Sequence, residues 1–490
     1  MKRKTDDVRK QMEKLVPLDL SKNHTVSEIV DVMSRCSFGA RMLGEVAKTL
    51  TDWFSAKNTK PTVIYDGPER TLVHMILQKM RINGWVGYIT TSEEYTSEAS
   101  PIYSKRVIVV GNYSELCETA LHEKADEAIF INQYGRAKPG QIRDGFFPNV
   151  VFADPHFVMP VLYAAVDERL NGTPWTMEKL FKNLHGFGGL STEVSDGAET
   201  LLAMCRDKRC TVFLTLSGAM TVAKMQLLVC DMIDHGMVDY IASTGALMAH
   251  GLIEGIGDAH FKYNPKHSDK LLAAEGINRV TDSLEPEENF DHLDKVMNEV
   301  LQGFDGRKPI SPTMIHMAIG RYLKRHFPKC RGILRSAYDE RVPVSVPAFH
   351  DSEIGNDLFV HNLLRQQSGS APLLINNELD TELLLDTALL ADRIGIFSIG
   401  GGVPRNNTQN LAPLIEIANN RGAAKWPMRK FRYGCRIDPT PLYYGNLSGC
   451  TYNEGGSWRK MDLERGRFAE VHADATIVWP FILKYVMENL

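Results

Sequence analysis

The stretch Thr211-Val-Phe-Leu-Thr-Leu-Ser-Gly-Ala-Met220 decides the fold. Its apolar run from Thr211 to Leu216 has no polar alternation, so both faces need cover, as in a buried strand of a parallel sheet. Ser217-Gly-Ala breaks the run, and a helical pattern from Val222 to His235 then carries the chain back over the sheet. The unit repeats downstream. His235-Gly-Met-Val-Asp-Tyr-Ile241 leads into Ser243-Thr-Gly-Ala246, and the strand from Ile394 to Ile399 leads into Gly400-Gly-Gly-Val-Pro404. A glycine-bearing strand exit ahead of a helix aims backbone N–H groups and the positive end of the helix dipole at an anion such as a dinucleotide pyrophosphate. Each exit alone is most often only a tight turn, and none has the full GxGxxG form of the ordinary dinucleotide fingerprint. The expected fold is α/β and Rossmann-like, with a mainly parallel, doubly wound sheet; a further helix is expected from Asp380 to Asp392.

Toward the N-terminus the same order of elements returns in shortened form. Ser37-Phe-Gly-Ala-Arg-Met-Leu-Gly44, Thr62-Val-Ile-Tyr-Asp66 and Asn83-Gly-Trp-Val-Gly-Tyr-Ile89 echo Gly186-Phe-Gly-Gly-Leu190, Thr211–Thr215 and His235–Ile241. Ala125-Asp-Glu-Ala-Ile-Phe130 echoes Ala391-Asp-Arg-Ile-Gly-Ile-Phe397, and Phe152-Ala-Asp-Pro-His-Phe-Val-Met-Pro160 echoes His472-Ala-Asp-Ala-Thr-Ile-Val-Trp-Pro480. These matches predict a smaller α/β unit over residues 1–170 and a larger one over 171–490, the smaller being either a degenerate copy of the larger or a separate unit sharing the strand and helix patterns that doubly wound folds reuse. Asp167-Glu-Arg-Leu-Asn-Gly-Thr-Pro174 is the expected linker between them. The charge-rich stretch from Lys262 to Asn289, with its Glu285-Pro-Glu-Glu run, is expected to be a solvated insertion or loop.

Composition narrows the function. With 490 residues, 56 basic against 60 acidic side chains and a net charge of −4, the chain has no basic footprint for nucleic acid and no basic tail for a membrane surface. No apolar run reaches the roughly 18 residues of a membrane span, so a cytoplasmic protein is expected. Eight cysteines form no CxxC pair, and no HExxH, Walker A or GxSxG pattern occurs, so no metal centre, P-loop or serine nucleophile is expected.

The chemistry points to the C-terminal part. In Glu454-Gly-Gly-Ser-Trp-Arg-Lys460, a lysine follows a tryptophan by two residues, shortly before His472-Ala-Asp-Ala-Thr476. A lysine amine is a covalent catalyst only when neutral, which calls for desolvation or a nearby cation. An indole such as that of Trp458 can cover a cationic chain by cation–π contact. From composition alone, Trp458 would be a core residue and Lys460 a surface lysine. Together with Gly400-Gly-Gly-Val-Pro404 and Leu447-Ser-Gly449, however, the segment resembles the deoxyhypusine synthase family, over roughly the last 300 residues.

That resemblance implies an NAD-dependent aminobutyltransferase working on a polyamine such as spermidine, assembled as a homodimer or homotetramer. It implies Lys460 as the covalent residue and cofactor contacts at Ser217, Gly218, Thr244, Gly245, Ala246, Asp351, Gly401, Gly402, Ser448, Asp474 and Ala475. Substrate contacts are expected at Trp458, Asn406, Asn356, Glu454 and Asp438, and His250 is either a base near neutral pH or, as a lone histidine more often is, a structural hydrogen-bonder. Protein-modifying members carry a histidine where Asn406 stands, acids where Asn356 and Leu447 stand, and a glutamate where His250 stands. A polycation pocket wants carboxylates, because a buried unpaired ammonium is costly. Their loss, and the wording Thr244-Gly-Ala and Gly402-Val-Pro-Arg-Asn, resemble the bacterial branch, which implies a small amine such as putrescine as acceptor and homospermidine as product. Transfer to a protein lysine is the second expectation, and a catalytically silent NAD-binding regulatory or assembly subunit the third.

Overall fold

The computed structural model describes residues 8–57, 59–97, 104–113, 115–132, 149–446 and 448–490. The chain divides into two compact units: Leu18–Asp196 with Thr476–Glu488, and Gly197–Ala475 with the terminal stretches up to Pro17 and from Asn489.

The smaller unit holds five parallel strands: β1 (Thr62–Tyr65), β2 (Tyr88–Thr90), β3 (Arg106–Val110), β4 (Glu127–Ile131) and β5 (Val150–Val151), ordered β2-β1-β3-β4-β5. The C-terminal helix Ala475–Asn489 contributes most of its length to this unit. Ile477, Val478, Trp479, Phe481, Ile482 and Leu483 are all fully buried, with Phe481 edge-on to Phe157 at 5.8 Å and Tyr485 stacked on Phe181 at 4.3 Å.

The larger unit is built on six parallel strands: β6 (Cys210–Leu216), β7 (Tyr240–Ala242), β11 (Val344–Ser345), β12 (Arg393–Ile399), β13 (Phe431–Ile437) and β14 (Arg467–Val471), ordered β11-β7-β6-β12-β13-β14. Between β7 and β11 comes a separate antiparallel sheet of β8 (Phe261–Lys262), β9 (Ile277–Val280) and β10 (Ser283–Pro286), ordered β8-β10-β9. The central strands β6 and β12 pair along seven residues and are almost wholly buried, as their unbroken apolar sequences require. The one polar pair within, Thr215 with Ser398, is satisfied internally by a 2.8 Å hydrogen bond. The fold class is the expected one: α/β, with a large parallel sheet and a smaller N-terminal parallel sheet. The helix expected over 222–235 is observed over Gln226–Asp234, and that over 380–392 over Glu378–Leu390.

Three local expectations need correction. The proposed linker at Asp167–Pro174 is the last turn and cap of helix Pro155–Asn171, with Gly172 in the left-handed conformation at φ 73°. Its charges are local anchors: Asp167 accepts from the Trp175 indole at 2.8 Å, and Glu168 accepts from the Thr25 hydroxyl at 2.7 Å. The division lies instead between Asp196 and Gly197, inside helix Gly189–Arg206. The stretch Lys262–Asn289 is not a solvated insertion, since it forms the antiparallel sheet, and Leu272, Ile277 and Leu284 cluster with Val8 and Tyr263. Glu285 is 1% exposed, with His250 and His260 nitrogens 2.7 and 3.4 Å from its carboxylate. Finally, the echo between residues 125–130 and 391–397 joins strands at different places, β4 being the fourth in its sheet while β12 sits where β3 does, counting from β2 and from β7.

Candidate active site

Lys460 is fixed by its backbone first. Thr451 caps the short helix Tyr452–Ser457 by accepting from the Glu454 amide at 3.1 Å. Trp458 ends the helix, and Arg459 takes a left-handed φ of 57°. A non-glycine residue in that region costs on the order of 1 kcal/mol, and here Arg459 is held by its ion pair to Glu416. The turn lets the Lys460 amide donate to the Gly455 carbonyl at 3.0 Å while the Lys460 carbonyl accepts from Phe431, at the start of β13, at 2.9 Å. The side chain is buried, and its Nζ donates to Asn406 Oδ1 at 3.2 Å and lies 5.9 Å from the centre of the Trp458 ring. Trp458 itself is 64% exposed, a wall of the site and not core.

The electrostatics favour a neutral amine. Burial and the Arg405 guanidinium hold Lys460 below the ordinary lysine range, against a smaller opposing pull from Cys450 and Glu454. Arg405 was not singled out in the sequence. It is 5% exposed, donates to the Ser448 and Cys450 carbonyls at 3.2 and 2.7 Å, and lies over the Tyr452 ring at 5.4 Å. Fully buried Arg436 binds the same two carbonyls at 2.9 and 2.8 Å and pairs with Glu470 at 3.2 Å, while Glu470 accepts from the Tyr452 amide at 2.6 Å. Two arginines thus clamp the loop that closes the site. The only hint in the sequence was the position of Arg405 beside Asn406.

A cavity of about 510 Å³ opens over Lys460, lined among others by Gly402, Asn406, Asn446, Glu454 and Trp458. A neighbouring hollow of about 270 Å³ lies at the strand exits and is lined by Ser217, Thr244, Gly245, Asp351, Gly401 and Ser448. The two share Gly402 and Val403 as a common wall. Thr244 caps helix Gly245–Gly255 and points its N-terminus at this hollow. The close approach there demands glycine: a Cβ on Gly401 would lie 2.8 Å from Cα of Ser448, and Gly400 and Gly402 have φ of 74° and 67°.

The other expected residues stand elsewhere. His250 is not beside Lys460; its Nδ1 lies 2.7 Å from Glu285 Oε2. Asp438 is buried after β13 and accepts from the Thr440 amide at 2.7 Å, so it serves a turn. Asn356 is exposed on helix Glu353–Gln367 and lines neither cavity. Gly218 and Ala246 are exposed at the β6 and β7 exits without lining the hollow. Asp474 and Ala475 follow the edge strand β14, likewise outside the lining. Leu447 falls outside the described residues. Of the eighteen residues expected at the site, Ser217, Thr244, Gly245, Asp351, Gly401, Gly402, Ser448, Asn406, Glu454, Trp458 and Lys460 line the two cavities, whereas His250, Asn356, Asp438, Gly218, Ala246, Asp474 and Ala475 do not. No helix among the described residues is long and apolar enough to cross a membrane.

Comparison with known proteins covers the same region. A family model described as deoxyhypusine synthase matches residues 179–486. The chain is 29% identical over 297 residues to a probable deoxyhypusine synthase 2 of Archaeoglobus fulgidus, covering 61% of this chain and 93% of the relative. It is 28% identical over 341 residues to a probable deoxyhypusine synthase 2 of Methanosarcina acetivorans, covering 70% and 92%. With a deoxyhypusine synthase-like protein of Chlorobaculum parvum it shares 30% identity over 283 residues, covering 58% of this chain and 78% of that one. Both cavities lie inside the matched stretch, which spans more than half of the chain, and the protein belongs to the deoxyhypusine synthase family.

Proposed function

We propose that the protein is an NAD-dependent transferase that moves an aminobutyl group from a spermidine-like polyamine, through an imine on Lys460, to a small amine acceptor. The observation that carries this reading is the Lys460 amine itself, buried, depressed in pKa, hydrogen-bonded to the neutral Asn406 side chain, and facing a cavity walled by Trp458 and Glu454. The residues at the strand exits fit a dinucleotide, with a helix N-terminus, small side chains and a Gly401 backbone that no Cβ could share with Ser448.

Bound there, NAD would take a hydride from the carbon beside the secondary amine of the donor and return it at the end, so that the cofactor is regenerated. Lys460 attacks the resulting donor imine with its neutral amine, and diaminopropane leaves with the proton. Asn406 accepts one N–H of Lys460 and so aims the nitrogen lone pair into the cavity. Glu454 offers a carboxylate to the terminal ammonium of the aminobutyl group, and the Trp458 face covers its methylenes. The acceptor amine then displaces Lys460, and reduction gives the secondary amine product. Where the resemblance implies a histidine in protein-modifying members this chain has Asn406, which takes up no proton, so the proton of the acceptor has to leave through water or a second amine, which suits a small acceptor such as putrescine.

The test is incubation of the full chain with NAD and spermidine. Release of diaminopropane, borohydride trapping of a label on Lys460, and formation of homospermidine on adding putrescine are expected, with none of the three in Lys460→Ala. Absence of both diaminopropane and trapped label in the wild type would remove the transferase reading and leave an NAD-binding regulator. Consumption of the trapped intermediate by a protein lysine but not by putrescine would replace the acceptor.

A further inference from the structure

We propose that His250, His260 and Glu285 form a binding site for one divalent cation of borderline character, with zinc the ion the donor set fits best. The three side chains come from separate elements: His250 from helix Gly245–Gly255, His260 from the residue before β8, and Glu285 from β10. Their potential ligand atoms all lie within 4.8 Å of one another. None of this depends on the chemistry at Lys460.

Polar atoms here are buried without ordinary use. His260 is fully buried and Glu285 is 1% exposed, yet His260 Nε2, Glu285 Oε2 and His250 Nδ1 make no hydrogen bond of acceptable geometry. Three such atoms converging on one point are costly, at about 1–3 kcal/mol each, unless something binds them. The far side of His260 is tied down: its Nδ1 lies 2.8 Å from Glu254 Oε1 and 3.0 Å from Lys224 Nζ, and Glu254 is itself held by buried Lys224 and by Gln226 at 3.2 Å. A carboxylate on one ring nitrogen fixes the tautomer and presents the other nitrogen, unprotonated, to a metal. Lys224 and Glu254 neutralise each other, so Glu285 faces the dication with two neutral imidazoles and offsets one of its two charges.

Two imidazole nitrogens and one carboxylate oxygen select zinc or a similar transition ion over calcium or magnesium, which take oxygen shells. Donors on a tetrahedral zinc stand about 3.3 Å apart for bonds of about 2.0–2.1 Å. His260 Nε2 and Glu285 Oε1 are already 3.4 Å apart, whereas His250 Nδ1 and Glu285 Oε2, at 2.7 Å, have to open by about 0.6 Å to reach that spacing. The His250 side chain is 13% exposed, which gives the ion a way in and leaves room for a water as the fourth ligand. The site would pin the helix that begins at Thr244 to the antiparallel sheet.

The experiment uses the full chain, purified without a metal-affinity tag, stripped with EDTA, freed of chelator, and titrated with Zn²⁺ against a chromophoric chelator. Binding of about one zinc per chain is expected, as for a single-ion centre, with visible absorption typical of four-coordination when Co²⁺ is substituted. His250→Ala and Glu285→Gln should each weaken zinc by at least about tenfold. His292→Ala, which removes an exposed histidine paired with Asp258, should leave it unchanged. The competing arrangement is a protonated His250 paired with Glu285 and no ion. Binding no tighter than to unfolded protein, or equal affinity in His250→Ala and wild type, establishes that arrangement and overturns the site. Circular dichroism identifies a variant that fails to fold; His250, at the solvent edge, is the substitution that decides.

Discussion

At Gly401 an added methyl group would stand 2.8 Å from Cα and 2.9 Å from Cβ of Ser448, and backbone cannot yield as a flexible side chain can. Gly401→Ala is therefore expected to push the 448–450 loop away and weaken NAD by at least about tenfold, a change on the order of 1.4 kcal/mol, while Lys460 keeps its backbone contacts to Gly455 and Phe431. Unaltered NAD affinity by titration calorimetry would mean that this hollow is not the cofactor site. Lys460 offers a second measurement at this scale. Its reactive form is neutral, so imine trapping should rise with pH and level off at the depressed pKa of the amine. Glu454 pulls that pKa up and Arg405 pushes it down. Glu454→Gln should move the rising limb to lower pH, and Arg405→Gln should move it to higher pH. Parallel shifts in the two variants, or none, would show that neither side chain sets the charge of Lys460.

Elements carry the next level of constraint. Helix Pro312–His326 is attached to the two-residue edge strand β11 through buried His316, whose ring accepts no proton readily: Nδ1 lies 2.8 Å from the Val344 carbonyl, and burial pushes its pKa down to about 4. The free imidazole titrates near 6.5, so the unfolded chain takes up the proton first. The neutral ring thus stabilises the fold fully above pH 6.5, and the stabilisation is lost as pH falls toward 4, by about 3 kcal/mol in all at about 1.4 kcal/mol per unit. His260 and His156 have raised values and act in the opposite sense, which masks the effect in the wild type alone. The expected signature is a difference: the stability gap between wild type and His316→Gln narrows between pH 7.5 and 4, read by urea denaturation. A gap independent of pH would mean that His316 titrates in the fold as it does in the unfolded chain. Thr244→Ala tests another element, because loss of the cap on helix Gly245–Gly255 should cost about 1 kcal/mol.

For the whole molecule the membership of the last helix is decisive. A chain beginning near Thr173 keeps the lining of both cavities but loses the stretch up to Pro17 that belongs to the larger unit. It would also strip the segment Thr476–Glu488 of its partners, among them Phe157, and bare seven fully buried side chains from Ile477 to Val486. Exposed apolar surface of that extent drives association. Such a truncation is expected to be insoluble or aggregated in size-exclusion chromatography; a soluble, monodisperse product with normal activity would show the smaller unit to be dispensable. The two sheets themselves follow one plan: β2-β1-β3-β4-β5 has the order of β7-β6-β12-β13-β14, with β11 as the extra edge strand of the larger. The echo at residues 152–160 and 472–480 fits that plan too, each copy following the last strand of its sheet and leading into a helix with an internal proline. Internal duplication would leave this pattern.

The parallel sheet was readable because its signals are local. An apolar run that needs cover on both faces, a glycine where the chain must turn, and a helical period afterwards all lie within a few residues of one another, so Thr211–Met220 sufficed for the strand, the exit and the helix. The grouping of Lys460, Trp458 and Asn406 with the strand-exit glycines was reached through resemblance, and folding brings them around two adjoining cavities. What the sequence left open depends on partners far along the chain. Glu285 looked solvated because its neighbours are charged, and only folding brings His250 and His260 to it. Arg405 and Arg436, 31 positions apart, meet on the same two carbonyls, a convergence no spacing rule predicts. The helix from Ala475 follows a strand of the larger sheet yet gives its apolar surface to the smaller unit. Burial of a charge, and the choice of which apolar surface a helix joins, are set by the free energy of long-range contacts, and those exist only once the chain has folded.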